Sequence, residues 1–164
     1  MSAVIAARYV SLLDSYQAEL GILQAHPHNL LLEGPAAATD AALLLVQPLL
    51  REPLVRHALH SSLELPEATT GSLILRDVAA LSAGDQVRLR AWLLGEGFGV
   101  QVVSTTEGPL FALVALGLFD VALYYRLNVL LLRIGPTSSS GSQEQHVPLA
   151  RGQARTIAVV THGI

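Results

Sequence analysis

Gly71-Ser72-Leu73-Ile74-Leu75-Arg76-Asp77-Val78 is the stretch on which the fold reading turns. Three consecutive apolar residues stand between a glycine turn and a charged pair. A strand with one wet face alternates apolar with polar, whereas a strand buried on both faces is continuously apolar. The stretch therefore predicts a strand inside a sheet that is covered on both sides. A helix follows: Ser82 is placed to cap Ala83–Leu94, and Gly95 and Gly97 end it. Leu81, Val87, Leu89 or Ala91, and Leu93 or Leu94 are expected on its inner side.

The same alternation extends in both directions. Toward the amino end, 3–23 has the spacing of an amphipathic helix, and His26-Pro27-His28-Asn29 breaks it. Leu30-Leu31-Leu32-Glu33 is a short buried strand closed by Gly34. A small-residue turn over 34–40 leads to a helix over 41–50, with Thr39 or Asp40 as its N-cap. More helix is expected over 51–60 and a short strand over 63–65. Toward the carboxyl end, 100–104 reads as a strand, 111–117 and 119–127 as helices, and 129–134 as a last core strand. Strands alternating with helices predict an α/β three-layer sandwich around a mainly parallel sheet. The expected organisation is an α/β domain with an N-terminal helix over 1–134. A Ser/Gly-rich linker and tail over 135–164 follow, with one candidate strand at 156–160.

Composition narrows the function classes. With 164 residues, a single domain buries roughly 70% of its unfolded surface. The chain has no Cys, which excludes disulfides and thiolate metal sites. A net charge of -3 gives no general attraction to nucleic acid or acidic lipid, so neither partner is expected. Hydrophobic residues make up 51% and charged residues 14%, which calls for a large buried sheet, an interface, or both. The longest apolar stretch, 108–121, is interrupted by Pro109 and Gly117 and falls short of the roughly 20 residues a membrane span needs. No basic segment followed by an apolar run opens the chain, so no signal peptide is expected and the location is read as cytoplasmic. All ten basic side chains are arginine.

Leu123-Tyr124-Tyr125-Arg126-Leu127-Asn128-Val129 closely resembles a signature of the AAA+ domain of sigma-54-dependent transcription activators. Three further blocks resemble that family in the right order. Leu31-Leu32-Glu33-Gly34 with Ala41-Ala42 is similar to a Walker A strand, loop and helix. Gly71 to Val78 is similar to the Walker B strand, and Val100-Gln101-Val102-Val103-Ser104-Thr105-Thr106 to the sensor-1 strand. The likeness runs from Leu30 to about Ile134.

The departures fall on the chemistry. A phosphate-binding loop uses glycines to bring backbone N–H groups close and a lysine to reach the β- and γ-phosphates. Gly34-Pro35-Ala36-Ala37-Ala38-Thr39-Asp40 fills that place here. Thr39 replaces the second glycine, Asp40 replaces the lysine, and Pro35 removes a donor. A carboxylate about 4 Å from a phosphate charge meets repulsion of roughly 4 kcal/mol at an effective dielectric of 20. Arg76 and Asp77 stand where the resemblance puts the Walker B acids, and an arginine cannot ligate a cation. Glu107 replaces the sensor-1 Asn, and Asp120 the first of two arginine fingers; Arg126 keeps the second. The span from Gly34 to Gly71 is too short for the insertion bearing the sigma-contacting GAFTGA loop. No lid or DNA-binding helix pair is read after Ile134.

The resemblance implies a non-catalytic pseudo-ATPase, inactive at Gly34, Pro35, Thr39, Asp40, Arg76 and Asp77, and working as a protein-interaction or regulatory module without a cofactor. Tyr124, Tyr125 and Arg126 are the candidate interface, since Tyr and Arg are favoured at binding hot spots. The implied partner is an intact AAA+ activator or a second copy. The alternative is a sensor for a nucleotide-like effector such as a cyclic dinucleotide, with Arg51, Arg56, Thr105 and Thr106 as ligand contacts and Arg76 as a further phosphate partner. His57 and His60 are three apart and could meet Glu52 or Glu64, but the pair reads better as solvated, and no metal is expected.

Overall fold

Leu73 and Leu75 point into one hydrophobic core and Ile74 into another, which is why this strand has no polar position between them. In the computed structural model, which describes residues 16–58, 63–67 and 69–135, it is one of five. The strands are β1 Leu30–Glu33, β2 Leu54–Ala58, β3 Ser72–Arg76, β4 Gln101–Thr106 and β5 Leu130–Arg133. They form one sheet in the order β2-β3-β4-β1-β5, with every neighbouring pair parallel. The expected α/β sandwich is the fold observed.

Two helical layers cover the sheet. On one face, α3 Ala83–Leu94, α4 Leu110–Ala115 and α5 Val121–Leu127 bring Leu89, Leu93, Leu110, Leu123 and Leu127 onto Leu31, Leu73 and Val102. On the other, α1 Gln17–Ala25 and α2 Ala36–Val46 bring Leu23, Ala42 and Val46 onto Leu30, Leu32 and Val103. Each fully buried Leu contributes about 1.5–3 kcal/mol relative to exposure, and strands and helices both supply such leucines. No helix among the described residues is long and apolar enough to cross a membrane.

Polar side chains stitch the amino ends of the strands. Ser72 accepts from the Arg51 N–H at 2.9 Å and donates to Gln101 Oε1 at 3.0 Å, while Gln101 Nε2 donates to the His28 carbonyl at 2.9 Å. Asn29 Oδ1 accepts from the Val102 amide at 2.7 Å and Asn29 Nδ2 donates to the Arg126 carbonyl at 2.8 Å. Gly71 immediately precedes β3 at φ 102°, and a Cβ there would run into the Pro53 carbonyl.

Several expected elements change. The helix expected over 51–60 is instead strand β2, because Leu54 to Ala58 pair with Ser72 to Arg76; ladder formation outweighs local helix preference. No strand forms at 63–65, where Leu63 is a buried core residue with no ladder partner. The helix expected at 41 begins at Ala36, and Pro35, not Thr39 or Asp40, occupies its N-cap position. It ends at Val46 and passes into a 3₁₀ turn over Gln47–Leu49. Val87 faces outward rather than inward. Ser82 does cap α3, its Oγ accepting from the Asp85 amide at 3.1 Å. The start of the N-terminal helix, His60 and the strand expected at 156–160 lie outside the described residues, as does nearly all of the expected linker and tail.

Candidate functional site

Parallel pairing brings the carboxyl ends of β1, β3 and β4 to one edge of the sheet, where α/β folds place ligands. Gly34 leaves β1 there. Its N–H donates to the Thr106 carbonyl at 2.9 Å, and a Cβ would collide with the Ile134 carbonyl. Only Gly34 and Pro35 separate β1 from α2, so the rest of the expected loop is helix. The Ala38 and Thr39 amides both donate to the Pro35 carbonyl, at 2.8 and 3.0 Å. Thr39 is buried, and its hydroxyl donates to the Ala36 carbonyl at 3.0 Å. Of the amides at the start of α2, those of Ala38 and Thr39 are thus spent on the first helical turn.

Asp40 lies on the next turn and forms an ion pair with Arg76 at the end of β3. Both side chains are about half exposed, 46% and 48%. Asp77 follows in the left-handed region at φ 57° and ψ 59°, a conformation short polar side chains tolerate. Its N–H donates to Thr105 Oγ1 at 3.0 Å, and Thr106 Oγ1 donates to the Gly108 carbonyl at 3.1 Å. These residues enclose a cavity of about 300 Å³ that Glu107 also lines. Three carboxylates there face one guanidinium, and that guanidinium is already paired.

The alternative ligand set does not converge. Thr105 and Thr106 line this cavity, but Arg51 sits beside Ser72 at the opposite end of the strands. Arg56 lies mid-strand and bonds Gln47 Oε1 at 2.6 Å. Among the described residues no group of three or more His, Cys, Asp or Glu is placed to hold a metal. His57 belongs to a strand, so the helical spacing with His60 does not apply.

The expected interface divides. Tyr124 is 6% exposed and packs into the core beside Phe111, a correction of its expected surface role. Its hydroxyl accepts from Asn128 Nδ2 at 2.7 Å. Burial and the Glu33 carboxylate push its pKa upward. Tyr125 is 50% exposed, and Arg126 is half-buried with no partner for its guanidinium among the described residues. Phe111, Leu116, Leu118 and Val121 are further exposed apolar side chains on α4, α5 and the turn between them. Asp120 caps α5 by accepting from the Leu123 amide at 2.7 Å and pairs with Arg90 at 3.0 Å.

Glu33 escaped the sequence reading. It is buried at the end of β1, its Oε1 accepting from the Leu110 amide at 3.0 Å and its Oε2 from Arg133 Nε at 3.1 Å. The available signal was a lone charge closing an otherwise apolar strand.

The sequence profile of the sigma-54 interaction domain matches residues 38–137. No curated protein matches the chain. Among solved structures, NtrX from Brucella abortus in complex with ADP superimposes with a TM-score of 0.57 at 17% identity, over 76% of this chain and 35% of that one. Its complex with ATP gives 0.56 at 18%, over 76% and 37%. A point variant of RuvB from Thermotoga maritima gives 0.54 at 14%, over 75% and 44%. At such identities the likeness is one of fold, and the match spans little more than a third of NtrX.

Proposed function

The chain belongs to the sigma-54 interaction domain family, and from that premise we propose that it is a non-catalytic, ATPase-derived module that regulates by docking on another protein. The ion pair between Asp40 and Arg76 carries this reading. The positions that resemble the phosphate-binding lysine and the metal-binding acid hold charges of the opposite sign, and the two satisfy each other. The Ala38 and Thr39 amides spent inside α2, and the further carboxylates of Asp77 and Glu107 in the cavity, also support it.

The docking surface is the apolar hairpin of α4 and α5, with Tyr125 and Arg126 at its end. Exposed aromatic and aliphatic side chains on this hairpin, with an arginine at its carboxyl end, match the composition of interface hot spots. The partner is an intact ATPase domain of the same family. Joined to it, this chain supplies Arg126 to a neighbour's phosphate site, as an arginine finger acts in phosphoryl transfer, but offers no working phosphate site in return. One such subunit caps or stalls the assembly it enters.

Titrating the full chain into a purified intact activator domain tests this by ATP turnover. Turnover falls to a plateau, and Tyr125→Ala or Arg126→Ala abolishes the effect. Unchanged turnover, or hydrolysis by this chain alone, contradicts the reading.

A further inference from the structure

The outer face of α3 lacks what a solvated helix face carries. Its exposed residues are Ala83, Gly84, Val87, Arg88, Ala91 and Leu94, of which only Arg88 is charged. A surface helix ordinarily turns one apolar stripe to the core and a polar side to water. Here the core side is already filled by Leu89, Trp92 and Leu93. Val87 is nevertheless 53% exposed, Leu94 56%, and Phe98 in the turn just beyond 80%. The helix has two apolar sides, and only one is covered among the described residues.

The order of sizes along the uncovered side is self-complementary. Val87 and Ala91 lie at equal distances on either side of the level of Leu89, and so do Gly84 and Leu94. A two-fold axis at that level runs two copies of the helix antiparallel. It seats Leu94 of each copy over Gly84 of the other, and Val87 over Ala91. Every contact then joins a large side chain to a small one, which lets the helix axes approach closely. Such a patch, matching itself under two-fold rotation, is what an isologous dimer requires. The helix dipoles agree with size, and the exposed Arg88 side chains, which the same axis brings together at the rim, remain in water. Antiparallel packing sets the positive amino end of each helix dipole beside the negative carboxyl end of the other. Exposed Glu96, just past the carboxyl end, then stands near the amino end of the facing helix, where an anion is favoured.

We propose that the outer face of α3 pairs with a second copy of this chain, helix against antiparallel helix. The contact uses neither Tyr125 nor Arg126, so a dimer formed this way presents two docking surfaces.

Because the chain has no cysteine, introduced ones report the geometry cleanly. A chain carrying Val87→Cys and one carrying Ala91→Cys, mixed and oxidised, cross-link to each other in preference to themselves. In sedimentation velocity the full chain dimerises as concentration rises. Leu94→Glu, and separately Ala91→Arg, weaken that dimer about tenfold or more, the scale of uncovering one leucine, without changing the melting temperature at dilutions where the parent is monomeric. Three results overturn the proposal: a monomer at all concentrations, like-with-like cross-links in preference to mixed ones, or a dimer that Tyr125→Ala breaks and Leu94→Glu does not.

Discussion

Asp40 on α2 and Arg76 at the end of β3 are joined by an ion pair that spans the end of β4, the strand between β1 and β3. The pair lines the cavity where the family resemblance puts phosphate and metal chemistry. Because both partners are half exposed, its value is specificity of charge more than stability. A double-mutant cycle with Asp40→Ala and Arg76→Ala, read by urea unfolding, gives a coupling of about 0.2–1 kcal/mol. Reversing both charges in one chain, Asp40→Arg with Arg76→Asp, recovers most of it.

Glu33 is a larger structural element than its single charge suggests. It supplies the acceptor for the buried amide that begins α4. Glu33→Ala leaves that amide unsatisfied and destabilises the fold by about 1–3 kcal/mol in denaturant unfolding. Glu33→Gln, which keeps an acceptor, costs less.

Alkali acts through tyrosine. The pKa of Tyr124 is raised by burial and by the Glu33 carboxylate, and that of Tyr16 by burial and by Glu19. A raised value means the folded state holds the proton more tightly than the unfolded chain. The associated stability is therefore complete below the ordinary tyrosine pKa of about 10 and is lost as pH rises through the folded value. Melting temperature accordingly falls in that alkaline range. Tyr124→Phe has a lower melting temperature at neutral pH, having lost the Asn128 bond, but a shallower alkaline decline.

Tyr125 and Arg126 separate binding from folding. Tyr125→Ala and Arg126→Ala each stay within about 1 kcal/mol of the parent in unfolding, because Tyr125 is half exposed and the half-buried Arg126 guanidinium has no partner to lose among the described residues. Both lose partner binding in a titration followed by calorimetry. Tyr124→Ala instead costs several kcal/mol, about 3–5 by analogy with buried aromatics, because its ring is core.

The sheet was legible where burial dictates composition. Leu73-Ile74-Leu75 and Leu30-Leu31-Leu32 cannot be solvated, and Ser82 announces its helix by capping chemistry. β2 was not legible: Leu54 to Ala58 contain Arg56 and His57, and only pairing with β3 at the sheet edge makes them a strand. The early start of α2 was hidden because Ala36 to Ala38 suit either a loop or a helix. Charge at Asp40 and Arg76 was visible in the sequence, but their meeting was not, because it depends on the strand order. Tyr124 and Tyr125 are chemically alike, and only the rotation of α5 decides which one is buried.

Thermal denaturation of the full chain with Mg-ATP, ADP and a cyclic dinucleotide tests the central claim most directly. A ligand at 100 times its dissociation constant adds about 2.7 kcal/mol to a folded state that binds it. No shift with any of the three is the result predicted for a site in which Asp40 and Arg76 stand at the lysine and metal-acid positions and pair with each other. A clear rise in melting temperature with Mg-ATP would contradict that account.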